Sequence, residues 1–216
     1  MKTIAWCAQL SRKRSIWLTI MIICALLLTF AHLILQQWLY MSPCEQCVYI
    51  RFSLVVILLA AGIVCLFPKS LTIKSIGCLT GLTASYYGMR CSLLLQRIHD
   101  ALRSDDINTL FGLDGCSMKP RFPLDLPLQD WFPTWFMPTG ECGIDLPVVP
   151  SGAMLGGLQQ HLIKTYESAG SWYLIPQLKW LTMAQCCELA FFISASLFIS
   201  LWIAHALDYS KFTQLS

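Results

Sequence analysis

Residues 16–38 read IWLTIMIICALLLTFAHLILQQW, 23 consecutive positions without a formal charge. At 1.5 Å per residue, a helix of that length crosses the roughly 30 Å hydrocarbon core of a bilayer. A cleaved leader is the competing reading, since Arg12, Lys13 and Arg14 would make its basic start. Such a leader has an apolar core of only about 7–15 residues and then a small-x-small cleavage site. Neither holds here, so we expect a retained anchor. Three further apolar runs follow: Phe52 to Phe67, which Val48 to Arg51 extend by a turn; Ser75 to about Leu95, containing Arg90; and Cys186 to Leu207, with Glu188 near its start. The expected fold is an all-α integral membrane protein. It is a bundle of four transmembrane helices with two outer loops, the second long and carrying short interfacial helices.

Composition agrees. Of 216 residues, 56% are hydrophobic and 12% charged, about half the charged share of an average soluble domain. Too few polar groups remain to cover a soluble globule of this size, which argues against a soluble enzyme or a disordered regulator. A net charge of +3 is too small to mark a polyanion partner, and no nucleic acid is expected.

Orientation follows from lysine and arginine in the short flanks. Lys2, Arg12, Lys13 and Arg14 precede the first run, Lys69 and Lys74 lie between the second and third, and Lys211 follows the fourth. The expected organisation is a cytoplasmic tail (1–15), spans at 16–39, 48–67, 75–95 and 186–207, and a cytoplasmic turn (68–74). A short outer loop (40–47), a long outer loop (96–185) and a cytoplasmic C-terminal tail (208–216) complete it. Seven prolines from Pro120 to Pro150, among them Trp131, Phe132, Trp135 and Phe136, rule out long helices there and suit a segment lying on the membrane interface. Leu155 to Glu167 reads as one amphipathic helix. The role of the whole Leu155–Trp180 stretch is expected to be partner selection.

The cysteines divide in two. Cys7, Cys24, Cys65, Cys78, Cys91, Cys186 and Cys187 fall in the tail or in spans and read as small apolar packing residues. Cys44, Cys47, Cys116 and Cys142 all lie outside, and an even number of thiols on an oxidising face implies disulfides. Cys44-Glu45-Gln46-Cys47 is a C-x-x-C, the spacing used where dithiol and disulfide interconvert. The same motif is half a zinc site. However, no second C-x-x-C exists, and of the four histidines, His32 and His205 sit inside spans. Arg51 lies one helical turn below Cys47, where a guanidinium would favour the thiolate; snorkelling to headgroups is its other reading. Gln36, at similar depth in the neighbouring span, offers an amide either to a lipid-soluble acceptor or to an interhelical hydrogen bond.

Pro43-Cys-Glu-Gln-Cys-Val-Tyr-Ile-Arg51 resembles the quinone-reducing loop of the DsbB family, disulfide bond formation protein B. Phe122-Pro-Leu-Asp-Leu-Pro-Leu-Gln-Asp-Trp-Phe-Pro133 and Gly140-Glu-Cys142 resemble that family's second periplasmic loop, with Cys116 as the partner of Cys142. Met41 to Arg51, Pro138 to Gly143, Gly152, Gln159-Gln160 and Trp172 to Pro176 are similar to its DsbI branch.

The resemblance implies a multi-pass protein of the bacterial inner membrane with its active cysteines in the periplasm. It implies disulfides Cys44–Cys47 and Cys116–Cys142, a transient Cys44–Cys142 bridge, and Arg51 beside the acceptor. The acceptor is ubiquinone or menaquinone, and no metal is implied. The partner is a periplasmic thioredoxin-fold thiol oxidant of DsbA or DsbL type, serving in the DsbI branch an arylsulfate sulfotransferase. Many DsbB proteins carry a histidine near the outer end of the third span; here Arg90 stands in that region, with no histidine before His99. Cys47, Arg51, Gln36 and Arg90 are therefore the expected quinone contacts. The principal rival is a four-span scaffold whose outer loop is merely stapled by a disulfide, which gives the C-x-x-C and Arg51 no role. An electron conduit from the cytoplasm would need an exposed cysteine pair on that side, where only Cys7 stands. An enzyme like vitamin K epoxide reductase would carry its C-x-x-C late in the chain.

Overall fold

A computed structural model describes residues 14–103 and 116–213. Lys2, Cys7, Arg12 and Lys13, and the side chains of His205 and Lys211, lie outside the described residues. Helix α1 (Arg14–Thr29) continues directly into a π-helical segment (Phe30–Trp38). Helices α2 (Glu45–Leu66) and α3 (Leu71–Arg103) follow. After them come a 3₁₀ turn (Pro123–Asp125) and the short helices α4 (Leu128–Trp131) and α5 (Pro133–Phe136). Helix α6 (Gly157–Ala169), strands β1 (Tyr173–Ile175) and β2 (Trp180–Thr182), and helix α7 (Met183–Thr213) follow among the described residues. The molecule is mostly helical. The antiparallel hairpin, with Tyr173 opposite Thr182, adds a small sheet to an architecture expected to be all-α.

Among the described residues, three helices are long and apolar enough to cross a membrane: Arg14–Trp38, Glu45–Leu66 and Met183–Ala204. The third run, expected at 75–95, is the middle of the 33-residue α3, which is not among them. Glycines, serines and threonines dilute its hydropathy, and the packing explains several of them. A Cβ at Gly77 would strike Val64 of α2, and one at Gly81 or Gly88 would strike the rings of Phe198 or Phe191 of α7. Small residues at such contacts let membrane helices approach closely. Ser85 adds a hydrogen bond to the Gly81 carbonyl (2.7 Å) and one shared with Ser194 (2.9 Å).

The chain divides into two compact units. One comprises residues 14–28, Ser53–Gly88 and 190–213, with Trp17, Ile57, Val64, Phe191 and Phe198 at most 2% exposed. Arg14 Nε closes its first helix onto the Cys65 carbonyl (2.8 Å). The other unit comprises Thr29–Phe52 and Met89–Leu189. There Leu39, Met41, Ile163 and Trp172 form a core that joins the π-helical segment to α6. Gln159 Nε2 donates to the Trp38 carbonyl (2.6 Å), and Val148 N–H donates to the Tyr40 carbonyl (2.9 Å). The expected amphipathic helix is thus present as α6, shifted by two residues, and it covers the end of the first hydrophobic run.

Candidate redox site

The C-x-x-C sits where α2 begins, three residues earlier than the expected second span. Cys44 is the N-cap: its carbonyl accepts from Val48 N–H (3.1 Å), and its sulfur accepts from Cys47 N–H (3.3 Å). A side-chain acceptor on the first free amides is what a helix start needs, and here sulfur supplies it. The two sulfurs are 2.6 Å apart. That is about half an ångström beyond a disulfide bond. Cys44 is 1% exposed. The hydrogen bond with Cys47 and then burial push the Cys44 thiol well above its ordinary range.

One turn on, Arg51 is 6% exposed and donates to three oxygens. Nη1 reaches Gln36 Oε1 (2.7 Å) and the Trp135 carbonyl (3.3 Å), and Nη2 reaches the Ala31 carbonyl (3.3 Å). Both ends of the Gln36 amide are engaged: Oε1 also accepts from His32 Nδ1 (3.2 Å), and Nε2 donates to the Thr134 carbonyl (3.2 Å). Gln37 Nε2 donates to His32 Nε2 (3.0 Å), which fixes His32 as the neutral Nδ1–H tautomer. The imidazole stacks on Trp135 at 4.1 Å. The structure therefore brings Arg51 and Gln36 together and adds His32 and Trp135, which the sequence reading had not placed there. The i, i+4 spacing of His32 and Gln36 was a usable signal; for Trp135, some hundred residues away, there was none. The π-helix suits this placement, since such segments are rare and concentrate at functional sites. Arg90 is exposed on α3 and takes no part in these bonds.

Cys116 and Cys142 are disulfide-bonded. Backbone N–H groups of Thr139 (2.9 Å) and Gly140 (3.1 Å) both donate to the carbonyl of Pro43, the residue before Cys44. A Cβ at Gly140 would collide with the Ser42 backbone, so the close approach requires glycine. Beyond Cys142, Asp145 Oδ2 lies 2.9 Å from His99 Nε2, with side chains 6% and 0% exposed. On the other side, Ser117 N–H donates to Glu45 Oε2 (2.7 Å). Both cysteine pairs are thus gathered at the start of α2.

The donor set fits a quinone. Arg51 keeps Nε–H and one Nη2–H outside the bonds described, suited to a carbonyl oxygen, and the His32–Trp135 stack offers flat aromatic surface. Among the described residues, no group of three or more His, Cys, Asp or Glu side chains is placed to hold a metal ion.

A family model described as disulfide bond formation protein DsbB matches residues 13–203. A Salmonella typhimurium protein named protein-disulfide oxidoreductase DsbI is 41% identical over 199 residues, covering 92% of this chain and 88% of that protein. An Escherichia coli O1:K1 / APEC protein of the same name is 42% identical over 179 residues, covering 83% and 80%. No solved structure matches.

Proposed function

The chain belongs to the DsbB family of disulfide bond formation proteins, and on that premise we propose that it reoxidises a periplasmic DsbA- or DsbL-like thiol oxidant at the expense of a membrane quinone. The observation that carries this reading is the gathering of Cys116–Cys142, the Cys44–Cys47 pair and a buried arginine at one helix start. Four spans with both termini cytoplasmic put these cysteines on the oxidising face of the inner membrane. The exposed stripe Ile76, Leu79 and Tyr86 supports α3 as the fourth span, since it presents apolar surface to lipid.

The partner's thiolate attacks Cys116 and forms a mixed disulfide, releasing Cys142 as thiolate. In the oxidised enzyme Cys44 and Cys47 are joined; Cys142, held near by the Pro43 carbonyl's two bonds, attacks Cys44, the Cys44–Cys142 bond forms as the Cys44–Cys47 bond breaks, and Cys47 leaves as thiolate. Arg51 stabilises that anion and, with Gln36, orients the acceptor's oxygen. A bound ubiquinone or menaquinone supplies the oxidising equivalents, taking two electrons and two protons. An acceptor stronger than any DsbA-like disulfide is required, because exchange among disulfides alone sustains no net oxidation. Stretch 155–180, packed over the first outer loop, is the part we assign to choice of partner. The proteins finally oxidised then include an arylsulfate sulfotransferase.

The test is single-turnover oxidation of a reduced thioredoxin-fold protein by the purified enzyme, with ubiquinone or menaquinone, comparing wild type with Cys47→Ser. We expect one quinol per partner disulfide in wild type and none in the variant. Absence of quinone reduction with both acceptors, alongside an intact Cys116–Cys142 bridge, would leave the scaffold reading.

A further inference from the structure

Glu45, inside the C-x-x-C, is 9% exposed, unusual for a carboxylate, and both its oxygens are committed. Oε1 accepts from the Tyr49 hydroxyl (2.8 Å), and Oε2 accepts from the backbone N–H of Ser117 (2.7 Å). The Tyr49 hydroxyl accepts in turn from the backbone N–H of Arg121 (2.8 Å). Below these bonds, the Tyr49 ring meets Phe122 edge-on at 5.6 Å, and Phe122 also packs on Phe52 (5.5 Å) and Phe136 (5.7 Å). Glu45 and Tyr49 are one turn apart on α2, so a single helix face grips residues 117–122 at two points.

The two half-cystines are held differently. The Cys142 arm is pinned by backbone bonds to Pro43 and by the His99–Asp145 pair. Among the described residues, no backbone–backbone bond ties 116–121 to another segment; the Cys116 arm is held through side chains of α2. Cys116 is also the sulfur that must leave its seat to enter a partner's groove and afterwards come back.

We propose that Glu45 and Tyr49 are positioning residues, a clasp that reseats Cys116 beside the C-x-x-C for the exchange that closes the catalytic cycle. The inference rests on the redox reading above. Once the partner has departed oxidised, Cys116 is a free thiolate and Cys142 is bonded to Cys44. Cys116 attacks the Cys142 sulfur; the Cys116–Cys142 bond forms as the Cys44–Cys142 bond breaks, and Cys44 leaves as thiolate. The step is an exchange without net oxidation, and Cys44 then re-pairs with Cys47 as the quinone takes the electrons. Charge-assisted bonds accepted by Glu45 make the seat strong, and among the described residues the arm is held by side chains of α2 rather than by a backbone ladder, which suits an arm that must detach.

The experiment mixes reduced thioredoxin-fold partner and ubiquinone with the full-length enzyme, quenches with acid, and follows the Cys44–Cys142 bridge by alkylation. Wild type is compared with Tyr49→Phe, which removes only the hydroxyl, and with Glu45→Gln, whose amide nitrogen cannot accept from Ser117. We expect the bridge to form at the wild-type rate and to persist about tenfold longer in each variant, the effect of losing one or two of the hydrogen bonds that seat the segment following Cys116. A wild-type lifetime in Tyr49→Phe overturns the proposal. So does slowing of formation and decay together with loss of the resting Cys116–Cys142 bridge, which marks a merely structural role. Wild type that forms no Cys44–Cys142 bridge removes the redox reading itself, and the clasp with it.

Discussion

A guanidinium 6% exposed on the second turn of an apolar helix must find its partners inside the protein. Arg51 finds three, and their geometry explains why arginine stands here. Gln36 Oε1 and the carbonyls of Trp135 and Ala31 lie around a planar fork, which a single ammonium cannot span. Arg51→Lys should therefore keep the charge and lose the site: quinol formation, followed by absorbance at subsaturating quinone, should fall about tenfold. Wild-type rates would remove Arg51 from the acceptor site. At this scale the sequence was readable wherever a residue contradicted its surroundings. A charge in an apolar run and a C-x-x-C were legible, as was an amide at matching depth. His99 and Asp145 were not paired from sequence, because 46 positions separate them and neither breaks a local pattern.

Among the elements, α3 carries the clearest stability argument. In an exposed helix interior, glycine to alanine gains about 1 kcal/mol from propensity. At Gly81 the added methyl would land on the ring of Phe198, which is 0% exposed and has nowhere to move. Overpacking of this kind costs about 1–3 kcal/mol. Gly81→Ala should lower the Tm in detergent, whereas Gly157→Ala, at the start of α6 with nothing within 4 Å, should leave it unchanged or raise it. A higher Tm for Gly81→Ala would show that Phe198 yields. Helix α6 was legible from its periodicity. The π-helical segment and the 173–182 hairpin were not, since each is stabilised by what packs against it. Leu35, Trp38, Tyr166 and Met183 surround one shared core drawn from three parts of the chain.

At the scale of the whole molecule, topology is the expectation that everything else depends on. Ser151 and Lys69 are both exposed and lie in segments assigned to opposite faces. In intact spheroplasts a membrane-impermeant maleimide should label Ser151→Cys directly and Lys69→Cys only after lysis. The reverse pattern would place the redox cysteines in a reducing compartment and end the proposed chemistry. The sequence by itself determined the membrane class, the long apolar runs, the C-x-x-C and its arginine, because hydropathy, charge and motif spacing are local properties of the chain. Only the tertiary structure decided that Thr139 and Gly140 bind Pro43, that Glu45 and Tyr49 grip residues 117–122, and that His32 and Trp135 join Arg51. Each of these joins segments tens of residues apart through single backbone groups or ring faces, which every residue type can offer and no local pattern announces.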